Sequence, residues 1–237
     1  MKPGQKFRNA LKNNKPLIIP GTINAYSAKL AEIANHNSIY LSGSGVAAAS
    51  YGLPDLGVTT LENVLIDAKR ITSATSLPLL VDIDTGWGDF DAISNTIIEM
   101  GNANVAAVHI EDQIFDKRCG HRPNKQLVST DEMQDRLKAA LDAKIDDSFF
   151  IMARTDALAS EGIEKAIERC GKYLDVGADG IFFEAAVSIE EYKEFKNNFS
   201  APLLANITEF GKTPLFTQKE LSEVGVDMVL YPLTAFR

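Results

Sequence analysis

Residues 149–183 read FFIMARTDALASEGIEKAIERCGKYLDVGADGIFF. An apolar run at 149–153 is followed by Arg154, Thr155 and Asp156. Apolar residues then recur at Ile163, Ala166, Ile167, Cys170 and Leu174, and a second apolar run occupies 180–183. Runs of this length bounded by turn residues fit strands buried on both faces, and the i, i+3, i+4, i+7 spacing fits a helix with one apolar stripe. Gly177 stands where a left-handed C-cap ends a helix. The stretch is therefore one strand–helix–strand unit.

Working outward, the same kind of run recurs at 17–20, 38–41, 79–83, 105–110, 203–205 and 228–231, which makes eight with the two above. Helical spacing recurs at Leu61, Val64, Leu65, Ala68 and Ile71, and at Met133, Leu137, Ala140, Leu141 and Lys144. Thr60 is placed to open the first of these helices. Ser129 with Glu132 has the spacing of a capping box for the second. Gly225 follows a further helical pattern. Eight strands alternating with helices predict an α/β fold of the (β/α)8 TIM barrel type, ahead of an open doubly wound sheet, and 237 residues is close to that fold's usual length. No linker or shift in composition divides the chain, so a single barrel domain over 1–237 is expected. The last run ends at Tyr231 and the sequence ends at Arg237. The eighth helix is thus expected to be missing or supplied by a neighbouring subunit.

A chain of this length can bury a full core. An apolar fraction of 45% excludes disorder as a description of the whole. The formal charge is −8, with no run of Lys and Arg to offset it, which argues against nucleic acid and anionic membrane as partners. An anionic ligand would need locally concentrated positive charge. Two distant cysteines, Cys119 and Cys170, specify no disulfide framework. No apolar segment reaches the length of a signal peptide core or a membrane helix, so a cytoplasmic location is expected.

In a barrel the functional groups gather at the C-terminal ends of the strands. In this sequence those positions hold Ser42, Gly43 and Ser44; Asp82 and Asp84; Glu111 and Asp112; Arg154, Thr155 and Asp156; Glu184; Asn206 and Thr208; and Arg237. Asp82 and Asp84, two apart on a strand, face the same way. They are either a Mg²⁺ site, since a hard cation takes oxygen ligands and keeps several waters, or a solvated pair at a loop start. Lys117-Arg118-Cys119-Gly120-His121 sets a thiol between cations, a field expected to lower its pKa. The plainer reading is a basic surface loop with an incidental cysteine. Cys170 lies on an apolar helical stripe and reads as core, and His36 as a surface or helix-end residue. His109, inside a strand run, is either a packed core group or a site residue. Gly43-Ser44-Gly45-Val46-Ala47-Ala48 mimics a dinucleotide fingerprint, but it follows the second strand and Pro54 lies close behind it. Small residues that let backbone N–H groups approach an anion fit it better.

Three segments taken together, Val81-Asp82-Ile83-Asp84-Thr85-Gly86, Lys117-Arg118-Cys119-Gly120-His121 and Ala205-Asn206-Ile207-Thr208-Glu209-Phe210-Gly211, resemble the isocitrate lyase/phosphoenolpyruvate mutase superfamily. The likeness is greatest to its 2-methylisocitrate lyase branch and extends from Gly21 to Arg237. The cysteine segment marks the lyases. The resemblance implies a TIM barrel, Mg²⁺, a cytoplasmic homotetramer with exchanged C-terminal helices, and a role in propionate catabolism. It implies Mg²⁺-assisted retro-aldol cleavage of the tricarboxylate 2-methylisocitrate to pyruvate and succinate. It assigns the metal to Asp82 and Asp84, with Glu111 and Asp55 reaching it through water. Ser42, Gly43 and Ser44 meet the pyruvate end. Cys119 is the general acid, in a catalytic set with Asp55, Lys117 and His121. Gly120, Arg154, Glu184, Asn206, Thr208 and Arg237 bind substrate. A loop at 115–124 is expected to close over it, because water would quench a carbanion. Ser44 and Ile83 depart from the family's usual Gly and Ala. Isocitrate lyase, oxaloacetate decarboxylase and a truncated non-catalytic subunit are the alternatives on the same frame.

Overall fold

An amphipathic helix, α1 (Pro3–Asn13), precedes the first strand and was not foreseen from the run pattern. In the computed structural model, which describes residues 1–115 and 117–237, it stoppers the N-terminal end of a barrel. Phe7 is fully buried and its ring lies 5.1 Å from that of Phe150. Deleting a buried phenyl ring of this kind costs about 3–5 kcal/mol.

The chain continues as β1 (Leu17–Pro20), α2 (Ala25–Ile33), β2 (Ile39–Leu41), α3 (Gly43–Tyr51), α4 (Leu61–Ala74), β3 (Leu79–Asp82), α5 (Phe90–Asn102) and β4 (Ala107–Glu111). Its second half is α6 (Thr130–Asp142), β5 (Phe150–Thr155), α7 (Leu158–Glu161), α8 (Ile163–Val176), β6 (Gly180–Phe183), α9 (Ile189–Asn198), β7 (Leu203–Asn206), α10 (Gln218–Glu223) and β8 (Met228–Tyr231). All pairings are parallel and the strand order is β1-β8-β7-β6-β5-β4-β3-β2. A parallel bridge between Gly21 and Tyr40, with Thr22 N donating to Tyr40 O at 2.7 Å, brings β1 back to β2. The result is the expected (β/α)8 barrel.

Alternation along the strands creates two apolar layers. Ile39, Leu41, Leu79, Val81, Val108, Ile110, Ile151 and Ile181 pack outward against the helices. Leu17, Ile19, Tyr40, Leu80, Phe150, Met152, Phe182, Leu204, Met228 and Leu230 fill the interior. Helix boundaries follow local chemistry. Thr60 caps α4 in a reciprocal capping box with Asn63, and Gly177 closes α8 at φ 118°. Ser129 caps α6, but only half of the expected box forms: the Glu132 carboxylate pairs with Arg136 at 2.7 Å instead. Beyond β8 the described residues turn, Phe236 N and Arg237 N both donating to Leu233 O. The outer side of α2 leaves Tyr26, Leu30 and Ile33 exposed. Among the described residues no helix is long and apolar enough to cross a membrane.

Candidate active site

The alternation that fills the barrel also builds the site. Continuing each inward-facing series by two residues passes from apolar to polar: Tyr40 to Ser42, Leu80 to Asp82, His109 to Glu111, Met152 to Arg154, Phe182 to Glu184, and Leu204 to Asn206. Ser42, Asp82, Arg154, Glu184 and Asn206 line a cavity of about 980 Å³ at the C-terminal end of the barrel, and Glu111 lies behind Arg154. Ser44, Asp55, Lys117, Cys119, Gly120, His121, Thr208 and Arg237 line it too, Gly43 and Asp84 adjoin Asp82 beside it, and Asp112, Thr155 and Asp156 lie buried behind Arg154.

Asp82 ends β3. Its Oδ1 accepts from Asp84 N at 3.0 Å and its Oδ2 from Gly43 N at 3.2 Å. Asp84 lies past the strand at φ 47°, so a turn, not strand alternation, brings the two carboxylates together. Both face Gly43, where a Cβ would come within 3.1 Å of Asp82 Oδ2 and 3.4 Å of Asp84 Oδ1. Ile83 points into the outer core, as expected. Ser42 Oγ caps α3 by accepting from Gly45 N and lies 2.9 Å from Ser44 Oγ. The fingerprint-like glycines thus open a short helix beside the two aspartates.

The negative charge here exceeds the positive. Lys117 Nζ lies 2.6 Å from Asp55 Oδ1 and 2.8 Å from Asp84 Oδ1. Burial opposes its charge, but Asp84, Glu111 and Asp55 outweigh burial and hold the ammonium protonated. Glu111 Oε1 accepts from Gln113 Nε2 at 2.9 Å, while its Oε2, like Asp84 Oδ1, is buried without a hydrogen bond of good geometry. Burial pushes the carboxyl groups of Glu111 and Asp84 upward. Asp84 Oδ1 and Glu111 Oε2 have only cationic neighbours, Lys117 at 2.8 Å and Arg154 at 3.3 Å, and with Asp82 they form an all-oxygen donor set that fits a hard divalent cation. Among the described residues no group of three or more His, Cys, Asp and Glu side chains forms a closed metal site. Asp82 and Asp84 would leave the remaining positions to water or ligand.

The cysteine segment folds over this cluster. Its first residues adjoin Asp116, which lies outside the described residues, as does that part of the expected 115–124 loop. Cys119 is half-buried. Its thiol is raised above the usual cysteine range, burial being the largest cause, so the expected lowering is wrong. The physical reason is that Lys117 is spent on carboxylates and the Arg118 side chain is exposed, while Asp55 and Glu184 also oppose a thiolate. Gly120 passes so close to the barrel that a Cβ would meet Glu184 Oε1 at 2.2 Å and Arg154 Nη2 at 2.4 Å. His121 Nε2 lies 3.3 Å from Glu184 Oε1, and its Nδ1 accepts from Lys212 N at 3.0 Å.

Arg154 is held flat by Asp156, with Nε to Oδ2 at 2.9 Å, and lies 5.1 Å above the Phe182 ring. Asn206 Nδ2 donates to Glu184 Oε2 at 3.2 Å. Arg237 pairs with Glu209 at 2.7 Å and reaches Thr208 Oγ1 at 3.4 Å. Four residues of the site were not picked out from sequence. Tyr40 and Phe182 sit inside apolar runs and look like packing. Gln113 and Lys125 lie in loops, and nothing in their spacing marks them. His109, left open, is on the site floor: burial holds its pKa at about 3 and its Nε2 meets Tyr40 OH at 3.0 Å.

The family model described as phosphoenolpyruvate phosphomutase matches residues 7–237. A relative named 2-methylisocitrate lyase, from Shewanella oneidensis, is 61% identical over 234 residues, 99% of this chain and 80% of that protein. The crystal structure of 2,3-dimethylmalate lyase superposes with a TM-score of 0.94 at 34% identity, covering all of this chain and 80% of that one. Phosphonopyruvate hydrolase in complex with oxalate and Mg²⁺ superposes with a TM-score of 0.84 at 28% identity, covering 98% and 81%. With the barrel, the aspartate pair and the cysteine segment in place, these matches establish that the chain belongs to the isocitrate lyase/phosphoenolpyruvate mutase superfamily.

Proposed function

We propose that this chain is a carbon–carbon lyase that cleaves 2-methylisocitrate to pyruvate and succinate. The relative of that name at 61% identity supports the substrate. The observation that carries the chemistry is a half-buried thiol on a segment whose Gly120 closes on Arg154 and Glu184 and whose Lys117 reaches Asp84.

In this reading Asp55 takes the proton of the substrate hydroxyl. The oxygen lone pair forms the carbonyl of pyruvate, the C–C bond breaks, and its electrons pass to the carbon next to the succinate carboxylate. Cys119 protonates that carbon as general acid. A thiol kept neutral by burial suits the role, because an acid must start protonated. Arg154 and Arg237 offset the charge of the tricarboxylate, while Lys117 offsets the site's own Asp55 and Asp84. Ser42, Gly43 and Ser44 receive the hydroxy-acid end, and Asn206, Thr208 and Glu184 fix the other. His121, between Glu184 and the 212 amide, seats the loop. Asp82 and Asp84 would hold a divalent cation, with Glu111 reaching it through water. The Mg²⁺ in the phosphonopyruvate hydrolase structure supports Mg²⁺ as that ion. Bound there, it would supply Lewis acidity to the hydroxy-acid end of the substrate. We further propose a cytoplasmic homotetramer in which a second copy covers Tyr26, Leu30 and Ile33.

The test is product analysis with Mg²⁺ and 2-methylisocitrate, isocitrate and oxaloacetate in parallel. Pyruvate and succinate from the first, at the highest kcat/KM, support the proposal. Preference for either other acid overturns it.

A further inference from the structure

Lys125 takes no part in the chemistry above, yet it is among the most enclosed charged groups in the molecule. Its side chain is 2% exposed and that of its partner Asp156 is 0% exposed. Its Nζ donates to Asp156 Oδ1 at 2.6 Å and to the Gly120 carbonyl at 2.7 Å. The first contact is to the carboxylate that orients Arg154; the second is to the residue next to Cys119. One ammonium therefore bridges the cysteine segment and the end of β5.

The far side of that bridge is anchored. Asp112 Oδ1 accepts from Asp156 N at 2.9 Å, and its Oδ2 accepts from Thr155 Oγ1 at 2.7 Å and from Tyr173 OH at 2.9 Å. Tyr173 and Arg169 belong to α8, and Arg169 is clamped by Glu161 on α7. Asp156 thus cannot yield easily, whereas the segment at 117–124 carries no helix or strand. The movable partner is the loop. Burial pushes the Asp156 carboxyl up, but Arg154 and Lys125 together hold it at about 2, so Asp156 stays ionised throughout the neutral range.

We propose that Lys125 is a positioning residue that latches the closed cysteine segment to the Arg154–Asp156 pair, so that Cys119 is in place only when Arg154 is oriented for substrate. The latch rests on the lyase reading only for its catalytic consequence; its geometric consequence is read without turnover. Removing the ammonium takes the Lys125 donor from the Gly120 carbonyl and leaves Asp156 Oδ1 with only the longer 3.3 Å contact from Arg154 Nη2, and the closed segment loses its charge-assisted tie.

The experiment compares the full chain with Lys125→Met, which keeps the length of the side chain, and Lys125→Arg, which keeps donors for both acceptors. Alkylation of Cys119 by iodoacetamide is followed by mass spectrometry, and pyruvate release is followed alongside. The expected result for Lys125→Met is alkylation roughly 10–100-fold faster and kcat lower by a similar factor, the range for loss of one charge-assisted hydrogen bond. Lys125→Arg should regain most of both. Wild-type alkylation kinetics in a folded Lys125→Met protein would overturn the latch, as would equal behaviour of the Met and Arg variants. A second measurement needs no variant. Acetylation of Lys125 and alkylation of Cys119 in the wild-type protein should slow in parallel when Mg²⁺, pyruvate and succinate are added. Free labelling of Lys125 beside a protected Cys119 would overturn the proposal. A wild-type protein that releases no pyruvate but shows the alkylation contrast would overturn the lyase reading and keep the latch.

Discussion

Lys117 Nζ stands 2.8 Å from Asp84 Oδ1, each side chain 5% exposed, so one buried ion pair joins the cysteine segment to the aspartate pair on the far side of the cavity. A cation placed there does two things. It offsets carboxylates that burial would otherwise protonate, and it brings the loop down over the ligand space. Closure is therefore written into the electrostatics of the cavity and not only into the loop.

The first prediction concerns the loop's approach to the barrel. Gly120→Ala puts a Cβ within 2.2 Å of Glu184 Oε1 and 2.4 Å of Arg154 Nη2, side chains that are both tied to other partners. The segment then cannot seat. Turnover should fall at least ~100-fold, the scale of a lost general acid. The melting temperature should stay within a few degrees, because the barrel core is untouched. Steady-state kinetics beside a thermal melt check both halves.

Divalent metal should stabilise the fold through the Asp82 and Asp84 carboxylates that face Gly43 together. At a hundred times its dissociation constant a ligand adds about 2.7 kcal/mol, or roughly 5–10 °C for a chain of this size. Differential scanning calorimetry with Mg²⁺ and with chelator should show that shift. Asp82→Asn and Asp84→Asn should each abolish it.

The site was legible in the sequence wherever strand alternation placed it. Asp82, Arg154, Glu184 and Asn206 each follow an inward apolar residue by two positions, Glu111 follows the inward His109 in the same way, and that rule needs no knowledge of the fold's closure. What alternation could not supply was the side of the thiol's pKa shift. Lys117 and Arg118 flank Cys119 in sequence, but one turns to Asp55 and Asp84 and the other to solvent. Nor could it show α1, whose Phe7 is buried only because the barrel has an open base to receive it. Lys125 was silent for a similar reason: Asp156 is 31 positions away, and the Gly120 carbonyl five residues back is a backbone group that no side-chain pattern marks.

Acid should expose the role of His109. Its folded pKa of about 3 lies below the free value, so the neutral ring favours the folded state above pH 6.5. As pH falls from 6.5 toward 3 the unfolded chain takes the proton first, and this contribution is lost at about 1.4 kcal/mol per pH unit. Buried Asp84 and Glu111 act in the opposite sense but are common to wild type and His109→Gln. Urea unfolding at pH 7, 6, 5 and 4.5 should show the wild-type stability falling more steeply than the variant's by that slope. Parallel curves would remove the assignment.

The exposed Tyr26, Leu30 and Ile33 on α2 should be buried by self-association. Light scattering should give a multiple of 25.8 kDa. Replacing Tyr26 and Ile33 together by Lys should shift the protein to smaller species without unfolding it, since neither side chain supports the barrel core. An unchanged mass for the double variant would place the interface elsewhere.

The most direct test of the central claim is pyruvate release from 2-methylisocitrate with Mg²⁺, measured for wild type and Cys119→Ser side by side. The account predicts steady turnover by the wild type and a loss of at least ~100-fold in the variant, with Mg²⁺-dependent stabilisation unchanged. Near-normal pyruvate release by Cys119→Ser, or none by the wild type, would contradict it.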